Sequence, residues 1–190
     1  MAFPRKIMLA AAVLLLAACR SDPIQFHTLS PTSTSAQSAS AVQRGNVEVQ
    51  IETISIPPQV DRQQIVVRQS DSSLAILEGH WWGASLVDEM RSALAQQLPD
   101  QGAARKVSVR LDVQRLDSLP GQYALIDVNW RLRDLDTDAR PLLYCRSRLQ
   151  TAAGVSIDEI VIAHQQNLRQ LAAEITQAAS NTAWRCSSSS

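Results

Sequence analysis

The sequence predicts an α+β domain, with a mostly antiparallel sheet and two helices packed on one face. Apolar and polar residues alternate over residues 46–56 and in three longer stretches between residues 107 and 151, which is the period of half-buried strands. Apolar residues recur at helical spacing over residues 82–98 and again from residue 157 onward. The predicted order is therefore strands, helix, strand meander and helix.

The first part of the domain reads as three strands. Residues 46–56 place Val47, Val49 and Ile51 on one face, and Pro57-Pro58 ends the strand. Residues 65–67 and 74–77 are short apolar stretches on either side of a polar turn, which predicts two further strands.

The first helix is predicted over residues 82–98 and ends at Pro99. Its apolar positions recur every three or four residues: Trp82, Leu86, Met90, Ala93, Leu94 and Leu98. Three strands follow, beginning at residues 107, 123 and 142, and short turns join them. Such neighbours form an antiparallel meander.

The second helix begins with a sequence typical of a capping box, Ser156-Ile157-Asp158-Glu159. An apolar stripe follows it, made of Ile157, Ile160, Val161, His164, Leu168, Leu171 and Ile175. We expect this helix to lie against the sheet.

The N-terminus has the pattern of a lipoprotein signal peptide over residues 1–18. Arg5 and Lys6 precede twelve apolar residues, which are too few to span a membrane. Leu-Ala-Ala-Cys follows, so we expect cleavage before Cys19 and attachment of acyl chains to it. The alternative is an ordinary cleaved signal peptide in which Cys19 is a chance residue. Arg20 follows the cysteine, and by resemblance to other bacterial lipoproteins it points to the outer membrane.

Composition divides the rest of the chain into three parts. Residues 19–45 are predicted to be a lipid anchor and flexible tether, because residues 30–44 are small and polar. A tether of that length has a typical reach of about 30 Å, which allows the body to stand off the membrane. Residues 46–186 are predicted to form the folded domain, and residues 187–190 a flexible tail.

Net charge and cysteine content bear on whether the protein binds nucleic acid and whether it contains a disulfide. The whole chain has no formal net charge, and removal of residues 1–18 leaves a net charge of −2. The sequence therefore has no excess of basic residues that would indicate binding to nucleic acid. Cys145 and Cys186 would face an oxidising periplasm, where a disulfide between them is plausible. Two unpaired thiols are the alternative.

The sequence lacks a recognisable catalytic or metal site. His27, His80 and His164 are far apart in the chain, and none has a neighbour at metal-ligand spacing. His164 lies in an apolar stripe and is read as a packed core residue. We therefore expect no metal, no cofactor and no enzymatic activity.

Two features suggest a protein interface as well as a structural role. Arg62 and Arg68 flank a predicted strand, where they are either surface ion-pair residues or interface residues. Trp82 is expected to be buried against the sheet, whereas Trp81 is a candidate for an exposed contact. The candidate partner interface is therefore Arg62, Arg68 and Trp81.

Three segments resemble the ABC-type transport auxiliary lipoproteins. Residues 26–29, Phe-His-Thr-Leu, resemble an aromatic-x-Thr-Leu segment near the start of that family. Residues 60–68 resemble its Leu-Asp-Arg-Pro-Gln-Ile-Val-x-Arg signature, and residues 82–86 its Trp-Ala-x-x-Leu segment, with Gly83 in place of the usual alanine. The matching motif positions are Asp61, Arg62, Ile65, Arg68, Trp82 and Leu86.

This resemblance implies a non-catalytic accessory lipoprotein. It implies a place at the outer membrane, facing the periplasm, and a partner with MCE domains, which form lipid-carrying tubes across the periplasm. A homo-oligomer that matches such a tube is a further implication. Two alternatives stay open: a periplasmic lipoprotein that itself binds lipid, and an envelope assembly factor.

Overall fold

The computed structural model describes residues 23–31, 47–99 and 105–186. Within them, seven strands and two helices follow one another along the chain. The strands are β1 (Gln25–His27), β2 (Val47–Ser55), β3 (Gln64–Arg68), β4 (Leu74–Trp82), β5 (Arg105–Leu119), β6 (Tyr123–Asp134) and β7 (Leu143–Ala152). The helices are α1 (Leu86–Ala95) and α2 (Ile157–Ser180).

The strands form two mixed sheets, so the α+β class is confirmed but the predicted antiparallel sheet is only partly right. The smaller sheet has the order β1-β4-β3 and the larger one β2-β5-β6-β7. The meander β5-β6-β7 and the β3-β4 hairpin are antiparallel, as predicted. However, β1 runs parallel to β4, and β2 runs parallel to β5. Parallel neighbours need a long connection, and local patterns carry no sign of such a pairing.

The two helices occupy different places relative to the larger sheet. Helix α2 contacts mainly its strands β6 and β7, whereas α1 contacts the edge strand β2 and α2 itself. The predicted placement of both helices on one face is therefore not clearly met. Neither helix is long and apolar enough to span a membrane, within the residues described.

Capping residues set the start of both helices. Ser85 caps α1 by accepting a hydrogen bond from the amide of Asp88, at 3.2 Å. In α2, Ser156 and Glu159 form the capping box that the sequence predicts. The predicted start of the first helix at Trp82 is wrong, because Trp82 is the last residue of β4 and its amide donates to the carbonyl of Gln63.

The turn between β5 and β6 follows the chemistry of its residues. The amide of Gln122 donates to the carbonyl of Leu119 at 3.0 Å, with Pro120 and Gly121 between them. Gly121 has a φ of 76°, in the left-handed region. A type II β-turn requires this conformation at its third residue and favours proline at its second. The long β5-β6 hairpin is thereby closed in register.

One apolar core joins both sheets and both helices. Its fully buried members come from β3, α1, β5, β6 and α2, and include Ile65, Leu86, Met90, Leu94, Leu111, Ile126, Leu132, Leu171 and Ile175. The three apolar residues among the matching motif positions belong to it: Ile65, Leu86 and Trp82. These motif positions therefore serve packing.

The folded domain begins earlier than the predicted residue 46. Strand β1 and Leu29, which is 2% exposed, lie inside the stretch 19–45 that the sequence assigns to a tether. The reason is tertiary, since three residues gain stable strand pairing only when β4 is beside them. Cys19, most of the predicted tether and the tail 187–190 lie outside the described residues.

The structure contains a disulfide between Cys145 and Cys186, for which the sequence left two readings. Their Cα atoms are 5.7 Å apart, and the bond joins β7 to the segment after α2. In the same segment, the indole N–H of Trp184 donates to the carbonyl of Pro141 at 2.8 Å. The chain is thus held at residues 184–186 to the β6–β7 connection and to β7 itself.

Candidate functional site

The candidate interface residue Trp81 lies on β4 beside Phe26 of β1. The two ring centroids are 6.4 Å apart and the planes meet at 75°, an edge-to-face arrangement. Trp81 is half-buried, and its indole N–H donates to the carbonyl of Glu78 at 2.9 Å. Phe26 is 66% exposed. Aromatic surface is therefore presented to solvent at the β1 edge of the smaller sheet.

Arg68, the second candidate, makes its hydrogen bonds to other residues of the same chain. Its guanidinium donates to the buried carboxylate of Asp117 on β5 at 3.0 Å, and to the carbonyl of Asp71 at 3.1 Å. Arg115 contacts the same carboxylate. The hydrogen bond from Arg68 to Asp117 raises the pKa of Arg68 above its ordinary value. Arg68 therefore links the β3-β4 hairpin to the other sheet.

Arg62, the third candidate, precedes β3 at the end of the sheet where Trp81 lies. Gln64, two residues later, pairs with Trp81. The side chain of Arg62 is half-buried, and its Nε has no hydrogen-bond partner within the described residues. Arg68 pairs with Leu74 at the far end of the hairpin, four residues and about 13 Å along β3 from Gln64. The three candidates therefore do not form one cluster.

The sequence missed a chain of polar contacts on the opposite face of β1. His27 Nε2 lies 3.0 Å from His80 Nδ1, and His27 Nδ1 lies 3.1 Å from a carboxylate oxygen of Asp158. Burial lowers the pKa of His27, to which His80 also contributes, while Asp158 opposes the shift. A neutral His27 fits this geometry when its Nδ1–H points to Asp158 and its Nε2 accepts from His80.

This chain of contacts had no signal in the sequence. The residues come from β1, β4 and the first turn of α2, and His27 and His80 are 53 positions apart. Asp158 is 80% exposed, so it reads simply as a charge at a helix N-terminus. The parallel pairing of β1 with β4 brings His27 and His80 together, and the packing of α2 adds Asp158.

Glu89 of α1 holds the segment that follows β1. Its buried carboxylate accepts hydrogen bonds from the hydroxyl of Thr28 at 2.7 Å and from the amide of Leu29 at 2.8 Å. The amide of Gly83 donates to the carbonyl of His27 at 2.8 Å. A side chain at Gly83 would place its Cβ 3.0 Å from Glu89 Oε1, so glycine leaves room for this carboxylate. Two of the motif segments therefore meet here.

A second histidine contact is closed to solvent. Ser118 Oγ lies 2.9 Å from His164 Nε2, and both side chains are buried. Burial lowers the pKa of His164 to about 4, against an opposing effect of Asp117. The prediction of a packed core histidine is confirmed, since His164 is 2% exposed.

Potential metal ligands do not gather among the residues described. No group of three or more His, Cys, Asp or Glu side chains has a geometry that would hold a metal ion in these parts of the chain. The chemistry at the β1 edge is instead that of hydrogen bonding and aromatic contact.

A family model described as the ABC-type transport auxiliary lipoprotein component matches residues 27–176. The chain belongs to this family. The match begins at the last residue of β1 and ends in α2, so it covers most of the folded domain. This family assignment confirms the resemblance that the three motif segments carry.

Two solved structures resemble this auxiliary lipoprotein in fold. One, an uncharacterized protein, has a TM-score of 0.62 at 16% identity and covers 82% of this chain and 98% of its own. The other, from Xanthomonas campestris, has a TM-score of 0.55 at 19% identity and covers 67% of this chain and 80% of its own. At these identities the likeness shows the fold alone. No protein with a curated function is a significant match to the chain.

Proposed function

We propose that the protein is lipidated at Cys19, is held at the periplasmic face of the outer membrane, and binds an MCE-domain protein of an intermembrane lipid transporter. The family match over residues 27–176 carries this proposal, because it makes the chain an auxiliary lipoprotein of a transport system. The Leu-Ala-Ala-Cys sequence supplies the acceptor for the lipid. Acyl chains on one cysteine give stable anchoring when there are at least two of them.

The described body supports a role in binding better than one in catalysis. The polar contacts described above either are buried, as are Ser118 and His164, or hold segments of the fold together, as does Glu89. The disulfide and the apolar core give a rigid body. Rigid surfaces lose little conformational entropy when they bind a partner.

The proposed partner contact includes Arg62. Arg62 is half-buried, so the exposed part of its side chain is open to a partner carboxylate or carbonyl, whereas its Nε is buried and has no hydrogen-bond partner among the described residues. Arg68 acts on this surface only indirectly, by holding the β3-β4 hairpin against β5. Both arginines remain candidates for mutation, with different expected effects.

Lipid binding by the body itself is the second candidate function. A cavity of about 260 Å³ is lined by Val49, Ile51, Arg91, Ala95 and Leu98, between β2 and the α1 region. Pockets that enclose drug-sized ligands are commonly about 300–1,000 Å³, so this one is small for a phospholipid. The accessory role is therefore the stronger proposal. Phospholipid in stoichiometric amount with the purified protein, found by mass spectrometry, would favour the alternative.

The test is affinity purification of the full-length protein from cross-linked cell envelopes. We expect acyl label on the wild-type protein and an MCE-domain chain among the captured proteins. Cys19→Ala should lose the label and most of the partner, because tethering raises the effective concentration at the membrane.

A matched pair of variants tests the partner surface. Arg62→Gln should reduce captured partner, whereas Arg133→Gln on β6, an arginine whose side chain is 59% exposed, should not. Capture of a different envelope machine, or equal capture by both variants, would contradict the proposed role or its surface respectively.

A further inference from the structure

Strand β1 presents an apolar surface that the fold leaves uncovered. Phe26 is 66% exposed, Ile24 is 45% exposed, and Trp81 packs edge-to-face against Phe26. We call Ile24, Phe26 and Trp81 the aromatic patch. Alternation along β1 places Phe26 on the face opposite His27, so the patch lies away from the histidine contacts.

The patch is close in sequence to the predicted acylation site. Ile24 follows Cys19 by five residues and Phe26 by seven. A fully extended chain spans at most about 3.6 Å per residue, so Ile24 stays within about 18 Å and Phe26 within about 25 Å of Cys19. Because β1 is paired with β4, this short connection restrains the whole sheet and not merely a loose segment.

We propose that the aromatic patch docks on the phospholipid bilayer and orients the body against it. This inference rests on the lipidation in the proposed function. Tryptophan and other aromatic side chains favour the interface between hydrocarbon and water. The short connection gives a high effective concentration of patch at the membrane, so even a weak affinity keeps it there.

The other exposed large apolar side chains among the described residues are far from Cys19 in the chain, since the first of them, Leu74, follows it by 55 residues. Tyr144 on β7 is 68% exposed, nearly the same as Phe26, but it belongs to the other sheet. Single exposed apolar side chains are common on protein surfaces and need no partner. The aromatic patch differs because Phe26 and Trp81 are in contact and because Ile24 and Phe26 follow Cys19 by only five and seven residues. Tyr144 is therefore a matched control.

The first experiment uses the full-length acylated protein in vesicles of phosphatidylethanolamine and phosphatidylglycerol. A benzophenone-bearing phenylalanine replaces Phe26 in one protein and Tyr144 in another. We expect about fivefold more lipid adduct from position 26 after illumination, because the patch lies in the interface. Equal adduct yields, or cross-links from position 26 to a second copy of the chain instead of lipid, would overturn the inference.

The second experiment measures tryptophan quenching by brominated phospholipid in the same vesicles. Trp81→Phe gives the background from the other tryptophans. Phe26→Ser should reduce the quenching of Trp81 about twofold or more by weakening interfacial contact, and Tyr144→Ser should leave it unchanged. Unchanged quenching in Phe26→Ser would also overturn the inference.

Flotation with the vesicles separates the two proposals. An acylated protein that floats but shows no adduct at position 26 and no quenching of Trp81 refutes the docking alone. A protein that neither carries acyl chains nor floats refutes the lipidation, and the docking falls with it.

Discussion

Individual polar side chains in the interior join elements that are distant in the chain. Asp117 on β5 accepts a hydrogen bond from Arg68 of β3, and Glu89 on α1 accepts one from the amide of Leu29. His164 on α2 is within hydrogen-bond distance of Ser118 on β5. The side chains of Asp117, Glu89 and His164 thus each have a polar partner, which offsets the cost of removing them from water. Single substitutions at these sites should therefore weaken the attachment of one element to another.

His164 should make the protein sensitive to acid. Its pKa is about 4 in the folded state and 6.5 when unperturbed, so the unfolded state binds more protons between these values. The free energy of unfolding should therefore fall as pH drops from 6.5 to 4, by about 3 kcal/mol from this residue.

His164→Gln tests this because glutamine keeps a polar atom near Ser118 but does not titrate. Urea unfolding at pH 7 and pH 4.5 should show a smaller acid-induced loss in the variant than in the wild-type protein. The same loss in both proteins would mean that other groups cause the acid sensitivity.

At the scale of elements, β1 depends on contacts outside its own three residues. It pairs with β4, and the residues after it are held by Glu89 of α1 and by Gln165 of α2, whose amide donates to the carbonyl of Thr28 at 3.0 Å. A strand this short has little stability of its own. Its place in the fold is therefore decided by α1 and α2 as much as by the sheet.

Glu89→Ala should release β1 from the domain. It removes the acceptor of two hydrogen bonds and leaves the buried amide of Leu29 unpaired, which should cost about 2–3 kcal/mol. Limited proteolysis should then cut residues 23–31 faster, while the rest of the domain resists cleavage.

Asp88→Ala is the control, since Asp88 is the neighbouring residue on α1 but is exposed. Asp88→Ala should lower the free energy of unfolding by less than about 1 kcal/mol, mainly because it removes a negative charge near the N-terminus of α1. Equal proteolysis of the two variants would show that Glu89 does not hold β1.

At the scale of the whole molecule, the two ends of the domain are both fastened to it. The N-terminal end is paired into the smaller sheet through β1, and the C-terminal end is bonded to β7 through Cys186. The proposed lipid on Cys19 would therefore be joined through residues 20–24 to a strand that is paired into the body. A tether that extended to residue 45 would not provide this restraint.

The disulfide should contribute strongly to the stability of the whole domain. It closes a loop with a sequence separation of 41, for which chain entropy gives up to about 4 kcal/mol. Cys145→Ser/Cys186→Ser should lower the free energy of unfolding toward that amount, as measured by urea denaturation.

A reductant provides the matched comparison. It should destabilise the wild-type protein to about the level of the double variant and leave the variant itself unaffected. Destabilisation of the variant by reductant would show that the effect does not come from this bond.

The sequence by itself determined the features that depend on near neighbours in the chain. The meander β5-β6-β7, the hairpin β3-β4 and the capping box of α2 follow from alternation, turn residues and helical spacing, which act over a few residues. The motif segments also identified the family, and the apolar stripe predicted that His164 lies in the core.

Tertiary structure alone decided the pairings between distant segments. The parallel partners β1-β4 and β2-β5, the contact of His27 with His80, and the choice of Trp82 as a strand end rather than a helix start all depend on which segments meet in space. A three-residue strand has almost no local signal, and its hydrogen-bond partners lie more than fifty residues away. For this reason the sequence placed residues 25–29 in a tether, whereas packing against β4 and α1 makes them part of the domain.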